Sequence, residues 1–257
     1  LYDPAPGVDM IATADNLARR YDLCREAVDR YACDSHQRAL QAQRAGAWCE
    51  EIVPIDNQMF ELEGYQPRGI SLPRGTGIVT QDSHPRPTDF SALSRLRALH
   101  VGGVQTAGNS CAVVDGAAAA LVGRGSACTR VPLARLLASA VVGVAPEFMG
   151  IGPAPAIRLL LQRSGLSLDD IARFEINEAQ AAQVLAVAQE LELDHTKLNV
   201  QGGSLAVGHP LAATGLRLVM TLARQLRQHN LRYGIAAACV GGGQGMAQCI
   251  ENPTYHT

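Results

Sequence analysis

The stretch YGIAAACVGGGQGMAQCI, residues 233–250, decides the fold. Its first run, Tyr233 to Val240, is short, apolar and followed by glycines, which predicts a buried strand. A second strand is predicted from Gly245 to Ile250, and the short turn between the two runs favours a hairpin. Cys239 therefore lies at a strand end, beside backbone whose N–H groups can face an anion. The alternative is that Cys239 is only a buried structural thiol.

The residues before this hairpin alternate between strand and helix patterns, which is typical of an α/β fold. Strands are predicted at Leu136 to Val144 and Phe174 to Ile176, and helices at Ala156 to Ser164, Ala179 to Glu192 and Leu216 to Gln228.

The first half of the chain is less regular. Apolar residues spaced three and four apart predict two or three amphipathic helices between Met10 and Ala47, and another helix from Phe90 to Leu99. Proline and glycine between Ile52 and His84 predict loops and short strands, as in a lid or an insertion. The Val- and Ala-rich run from Cys111 to Val122 is a buried strand or a buried helix, and its start favours a strand.

Composition excludes several classes of function. A chain of 257 residues, 47% hydrophobic and 18% charged, can bury one large core or two modest ones. The net charge of -2 and the absence of a basic run argue against nucleic acid. No apolar stretch approaches the roughly 18 to 20 residues that span a membrane. An odd number of cysteines, seven, favours a reducing compartment, so we expect a cytoplasmic location.

Two further segments carry candidate functional side chains. Asn177 stands between a predicted strand and a helix, where its amide can face a cleft or simply cap the helix. His209 lies in the glycine-rich stretch from Gly202 to Gly215, where small residues allow a ligand to approach the backbone. It can serve as a general base or an oxyanion donor, or it can be a capping or core histidine.

The order Asn-Glu-Ala, Gly-His-Pro and Cys-x-Gly-Gly-Gly resembles the C-terminal signature of the thiolase family. Further stretches that look like thiolase segments are Thr13-Ala14-Asp15-Asn16, Glu50-Glu51-Ile52-Val53-Pro54, Thr106-Ala107-Gly108-Asn109, Asp115-Gly116-Ala117-Ala118-Ala119 and Met149-Gly150-x-Gly152-Pro153. The resemblance covers nearly the whole chain. It implies a layered αβαβα architecture with the N-terminal half incomplete in this chain.

The resemblance also implies a domain division. Residues 1–110 correspond to the loop domain that binds coenzyme A (CoA), residues 111–133 to the last strand region of the N-terminal half, and residues 134–257 to the C-terminal half. A thiolase is expected to have a further N-terminal segment with a nucleophilic cysteine in a Cys-x-Ser turn. None of the seven cysteines lies in such a strand-to-helix turn, since Cys24, Cys33 and Cys49 are on the predicted helical segments, so we expect the nucleophile to lie outside this chain.

Roles follow from the same resemblance. Thiolases pass an acyl group from one CoA thioester, through a cysteine, to a second substrate. His209 would activate that cysteine and, with a water held by Asn177, line one oxyanion hole. Cys239 would remove or return the α-proton of the acetyl group. The Gly241 N–H would contribute to a second oxyanion hole, which stabilises the enolate.

Five more residues are expected to contact the substrate. Arg86 is the candidate for the nucleotide end of CoA, because guanidinium pairs with phosphate or stacks on adenine, although it can equally be a structural arginine. Ser110 and Cys111 stand where the family commonly has Ala-Ser, and Gln180 replaces its usual phenylalanine. Met149 completes the set.

The resulting hypothesis is a thiolase-type acyltransferase that cleaves 3-ketoacyl-CoA or condenses acyl-CoA units. Its substrates are acyl-CoA and CoA, and no cofactor or metal is expected. Thiolases are commonly homodimers or homotetramers, and a separate chain carrying the N-terminal half is another possible partner. The alternative is a non-catalytic subunit that binds acyl-CoA or serves in assembly. A ketoacyl synthase fits less well, because such enzymes usually pair two histidines with their cysteine.

Overall fold

A computed structural model describes residues 1–61, 63–64, 66–125 and 130–256, without the side chains of Phe60 and Arg68. Its strands are β1 Tyr2–Asp3, β2 Val8–Asp9, β3 Gln58–Phe60, β4 Arg68–Ile70, β5 Arg135–Gly143, β6 Ile171–Ile176, β7 Tyr233–Val240 and β8 Gln244–Glu251. Its helices are α1 Met10–Arg20, α2 Arg25–Arg44, α3 Phe90–Ser94, α4 Pro153–Ser164, α5 Ala181–Glu190, α6 Ser204–Val207 and α7 Thr214–Gln228, with a 3-10 helix at Pro146–Ile151. The strands and helices predicted from Leu136 onward are confirmed, with ends that differ by a few residues.

The central sheet has four strands in the order β5, β8, β7, β6. Strands β7 and β8 are antiparallel, with Val240 opposite Gln244, so the predicted hairpin is confirmed. Strands β6 and β7 are parallel. Their carboxyl ends therefore meet at one edge of the sheet, which is where α/β proteins commonly place a site.

Helices cover both faces of this sheet. On one face α7 buries Leu218, Leu222 and Leu226 against Ala236 of β7 and Ile250 of β8. On the other face α4 contributes Ile157 and Leu160 to the larger core, which also takes in residues of α2, α5, β6 and β7. Each large apolar side chain buried in this way contributes about 1.5–3 kcal/mol. The described residues thus form helix, sheet and helix layers, and the α/β fold class is confirmed.

The first half of the chain contains the helices expected between Met10 and Ala47. The Asp9 carboxylate begins α1 by accepting a hydrogen bond from the Ala12 N–H at 2.8 Å. Helix α2 carries Tyr31 into the core against α5. Among the described residues between Ile52 and His84, only β3 and β4 are regular, as the glycine and proline pattern predicts. Helix α3 is shorter than predicted, since it ends at Ser94.

The strand predicted at the start of Cys111 to Val122 is wrong for the described residues. Val113 makes one isolated bridge with His209, and no regular strand or helix follows before Gly125. Leu121 and Val122 are exposed, by 105% and 80%. The physical reason is that a strand needs a neighbour for its backbone groups, and no described strand pairs with this apolar run. Residues 126–129, within the expected 111–133 region, lie outside the described residues.

Candidate active site at the carboxyl ends of two parallel strands

Asn177 is the first residue after β6 and is 1% exposed. Its backbone N–H donates to the Ala237 carbonyl of β7 at 2.9 Å, which extends the strand pairing. The Ser204 hydroxyl donates to Asn177 Oδ1 at 2.6 Å, and Asn177 Nδ2 lies 3.3 Å from His209 Nε2. The alternative that Asn177 caps the following helix is wrong, because Gln180 occupies the N-cap of α5.

His209 projects from a tight turn after α6. Gly208 has a φ of 89°, and a Cβ there would lie 2.6 Å from Val114, so the turn needs glycine. The backbone N–H of His209 donates to the Ala112 carbonyl at 2.8 Å. The imidazole Nδ1 lies 2.7 Å from Thr214 Oγ1. Burial lowers the pKa of His209, and the positive charge of Arg217 lowers it further. The imidazole is therefore neutral at pH 7 and can accept a proton.

Cys239 lies on β7, two residues beyond the Ala237 carbonyl to which Asn177 is bonded. Residues two apart on a strand point to the same face, so the thiol shares the face of Ala237. Burial raises the pKa of Cys239 to about 12, and the neighbouring Cys111 adds to the effect. At neutral pH Cys239 is therefore a protonated thiol, which can donate a proton and is a poor nucleophile.

The segment from Ser110 to Val113 connects the two turns of the site. Ser110 bridges to Gln180, and the Cys111 N–H donates to the Ala179 carbonyl at 3.2 Å. The structure thereby brings Ser110, Cys111 and Gln180, three of the expected substrate-binding residues, to the border of the site. Burial raises the pKa of Cys111 to about 11, with the charge of Glu178 as a second cause.

The turn between β7 and β8 has Gly242 and Gly243 in the left-handed region, with φ of 79° and 83°. The Gly242 N–H donates to Asp3 Oδ2 at 2.5 Å. The turn therefore already presents an N–H to a carboxylate oxygen, which is the chemistry of an oxyanion donor. The predicted role of the exposed Gly241 stays a prediction. Sequence reasoning missed Asp3, and no local signal indicates this contact.

Met149 and Arg86 have other surroundings. Met149 is 6% exposed in the 3-10 helix, whose first residue adjoins the turn at Gly243. Arg86 is exposed, and its Nη1 lies 3.2 Å from His84 Nε2. The hydrogen bonds of the described residues do not join either side chain to His209. Their expected substrate contacts therefore stay predictions.

Glu178 was given no role by the sequence, yet it organises the site. Its buried carboxylate accepts hydrogen bonds from the Tyr31 hydroxyl at 2.9 Å, the Ser35 hydroxyl at 2.6 Å, Asn199 Nδ2 at 3.1 Å and the Leu205 N–H at 3.2 Å. A buried charge is tolerated only when donors surround it in this way. Glu178 thereby ties α2 to the beginning of α6 and so to the turn that holds His209.

Two of the thiolase-like stretches serve to hold the segment that enters the site. Asp15 Oδ1 accepts from the N–H groups of Val104 and Gln105 at 2.8 and 3.1 Å. Asn109 is fully buried, and its Nδ2 donates to Asp29 Oδ1 at 2.8 Å. These contacts fix residues 104–109 against α1 and α2, and so place Ser110 and Cys111, which follow directly in the chain.

Metal binding and membrane insertion are two further possibilities for the described ranges. There, no group of three or more His, Cys, Asp or Glu side chains is arranged to hold a metal ion. No helix among the described residues has the length and apolar character needed to cross a membrane.

Comparison with known protein families is decisive. Residues 1–126 match the thiolase N-terminal domain, and residues 130–252 match the thiolase C-terminal domain. The chain belongs to the thiolase family. The resemblance drawn from the three motifs is therefore confirmed.

Curated thiolases are similar over almost all of the chain. It is 40% identical to the mitochondrial 3-ketoacyl-CoA thiolase of Bos taurus over 257 residues, which is 98% of this chain and 62% of that protein. It is 44% identical to the β-ketoadipyl-CoA thiolase of Pseudomonas aeruginosa over 255 residues, 95% of this chain and 60% of that protein. The thiolase chain thus spans less than two thirds of the length of these relatives.

Solved thiolase structures have the same fold. Human mitochondrial 3-ketoacyl-CoA thiolase superposes with a TM-score of 0.85 at 37% identity, covering 98% of this chain and 62% of that chain. The acetyl-CoA acetyltransferase of Bacillus anthracis gives a TM-score of 0.86 at 38% identity, with the same coverage. The thiolase-like architecture is therefore confirmed.

Proposed function

We propose that the protein is a thiolase-type acyltransferase, which cleaves 3-ketoacyl-CoA with CoA or condenses two acyl-CoA units. The observation that carries this proposal is the contact of Asn177 with His209 Nε2 at the edge of the sheet where β7 delivers Cys239. The names of the relatives agree with it, since they include 3-ketoacyl-CoA and β-ketoadipyl-CoA thiolases. Acyl-CoA and CoA are the proposed substrates, and no prosthetic group takes part.

The first proposed step is acyl transfer to a cysteine. His209 Nε2 accepts the proton of a nucleophilic thiol, whose sulfur then attacks the carbonyl carbon of the substrate. In thiolysis the bond between the α- and β-carbons breaks, and acetyl-CoA leaves as its enolate. We assign this thiol to the further N-terminal segment that the resemblance to thiolases implies.

The second chemical group is Cys239. Its protonated thiol, with the pKa raised to about 12, is suited to give a proton to the carbon of the leaving enolate. In the condensation direction the Cys239 thiolate would take the same proton from acetyl-CoA. The glycine turn after β7 would donate N–H groups to the enolate oxygen, and the second thiolysis substrate, CoA, would then remove the acyl group from the nucleophile.

Assembly and location complete the proposal. We place the protein in the cytoplasm as a homodimer or homotetramer, or together with a separate chain that supplies the N-terminal half. The support is that the six described cysteines are free thiols and that apolar side chains such as Leu121 and Val122 are exposed.

In protein that includes the full length of its relatives, the test follows solvent deuterium entering the acetyl group of acetyl-CoA, and acyl transfer from a 3-ketoacyl-CoA, in separate assays. Cys239→Ala is expected to abolish deuterium exchange while acylation continues in part, and His209→Ala to impair acylation. Cys249→Ala is the matched control, because this buried β8 thiol also has a raised pKa, about 11. Equal loss of both steps in Cys239→Ala, or normal acylation in His209→Ala, would contradict the proposal.

The alternative, a non-catalytic subunit that binds acyl-CoA, is favoured by one observation. Among the described cysteines, every thiol whose pKa is displaced has it raised, with burial as the largest cause: Cys33, Cys111, Cys239 and Cys249. Calorimetric titration with acetyl-CoA distinguishes the readings. Binding without deuterium exchange or acyl transfer, in protein that includes the full length of its relatives, supports the subunit.

A further inference from the structure

We propose that Ser204 and Arg217 are positioning residues, which fix the amide of Asn177 and through it the tautomer of His209. This proposal deepens the proposed function and rests on it, because the value of the tautomer lies in accepting a proton from the nucleophile. Neither residue was singled out for a role by the sequence.

A continuous chain of hydrogen bonds joins these groups. Arg217 Nη2 donates to Ser204 Oγ at 3.2 Å, and Ser204 Oγ donates to Asn177 Oδ1 at 2.6 Å. Asn177 Nδ2 then lies 3.3 Å from His209 Nε2. The direction is set at its start, because a guanidinium has donors and no acceptor. Ser204 must accept from Arg217, and its single proton is left for Asn177.

The contacts of His209 Nδ1, on the other side of the ring, require the tautomer in which Nε2 accepts. The Thr214 hydroxyl donates to the Pro210 carbonyl at 3.0 Å, so it can only accept from His209 Nδ1 at 2.7 Å. Nδ1 therefore carries the proton, and the unprotonated Nε2 faces the Asn177 amide as a hydrogen-bond acceptor. Two independent sets of contacts, one through Arg217 and one through Thr214, thus give one protonation pattern.

Burial keeps solvent from replacing Ser204 or Asn177 in this hydrogen-bond chain. Ser204 is fully buried and Asn177 is 1% exposed, so solvent cannot replace the hydroxyl without entering the core. Arg217 is also held from its other side, since its Nη1 lies 3.6 Å from the buried Glu175 carboxylate. Without Ser204, the Asn177 amide could turn over and present Oδ1 to His209. The imidazole would then be favoured with a proton on Nε2, where it could no longer act as the base.

The experiment reads the tautomer directly, from long-range proton–nitrogen NMR correlations of the His209 ring at a pH where it is neutral. The wild-type protein is expected to show a protonated Nδ1 and an unprotonated Nε2. In Ser204→Ala the ratio of the two tautomers should move toward protonated Nε2 by about fivefold, the effect of one hydrogen bond. Ser204→Thr keeps the hydroxyl and should restore the wild-type ratio.

Arg217 is tested in the same way, with Arg217→Met expected to shift the ratio in the same direction as Ser204→Ala. Thr13→Ala is the matched control, because Thr13 is also buried and its hydroxyl also donates one hydrogen bond, at 2.8 Å, but to the Met10 carbonyl of α1. It should leave the His209 tautomer unchanged. Backbone amide spectra of every variant report whether the fold is retained.

Two results would overturn the proposal: a wild-type protein with the proton on Nε2, or a folded Ser204→Ala protein with an unchanged tautomer. A fold lost in Ser204→Ala leaves the wild-type and Ser204→Thr spectra to decide. No substrate or turnover enters these measurements. Failure of the acyltransferase proposal would therefore appear in the exchange and acylation assays and leave the tautomer result intact.

Discussion

Replacing Glu175 by glutamine should remove a pH dependence from the stability of the protein. The carboxyl is fully buried under α7, where Gln225 Nε2 donates to Oε1 at 2.8 Å and Arg217 Nη1 lies 3.6 Å from Oε2. Burial raises the pKa of Glu175 from 4.5 to about 7, against the opposing effects of Arg217 and Gln225. Desolvation therefore outweighs the nearby charge, because the ion pair is long and one carboxylate oxygen has no hydrogen bond.

The sign follows from which state holds the proton. Between pH 4.5 and about 7 the folded protein keeps the Glu175 proton while the unfolded chain loses it. This contribution to stability is fully present below pH 4.5 and is lost as pH rises through about 7. At about 1.4 kcal/mol for each unit of pKa, the loss amounts to about 3 kcal/mol.

The assay is urea unfolding of the wild type and Glu175→Gln at several values between about pH 5 and about pH 8. The difference in free energy of unfolding, variant minus wild type, should increase with pH toward about 3 kcal/mol above its acid value. Glu190→Gln is the control, because hydrogen bonds from Arg158 and Tyr21 lower the pKa of Glu190 below 4.5, and its difference from the wild type should therefore stay constant over the same pH range. Parallel stability curves for Glu175→Gln and the wild type would refute the reasoning.

Three further predictions concern the site. Glu178→Ala leaves several buried donors without an acceptor and should lower the free energy of unfolding by at least about 3 kcal/mol in urea titrations; a loss below about 1 kcal/mol would contradict its organising role. Gly208→Ala should cost about 1–3 kcal/mol in the same assay, because of its left-handed φ and its contact with Val114. Arg217→Met should raise the pKa of His209 in an NMR titration, although burial, the larger cause, keeps it below the ordinary value. An unchanged His209 pKa would show that the charge of Arg217 is screened.

The sequence predicts those elements whose signal is local. Strand β7 was predicted with the bounds Tyr233 and Val240 that the structure has, because an apolar run and a glycine turn specify it within one short segment. The run from Cys111 to Val122 has the same apolar character and still forms no strand. What differs is the neighbour: β7 lies between β6 and β8, whereas no described strand pairs with the other run.

The site likewise contains two kinds of residue: those that stand in a recognisable motif and those that hold them in position. Asn177, His209 and Cys239 could be chosen from the sequence because each stands in a distinctive setting of small or turn-forming residues. Ser204 and Arg217 could not, since a serine at the start of a short helix and an arginine on an amphipathic helix are both ordinary. Their role depends on contacts that form only when α6 and α7 pack near the end of β6, and on the single proton that each hydroxyl can donate. A motif therefore identifies which groups can react, while the direction in which they transfer protons is a property of the packed structure.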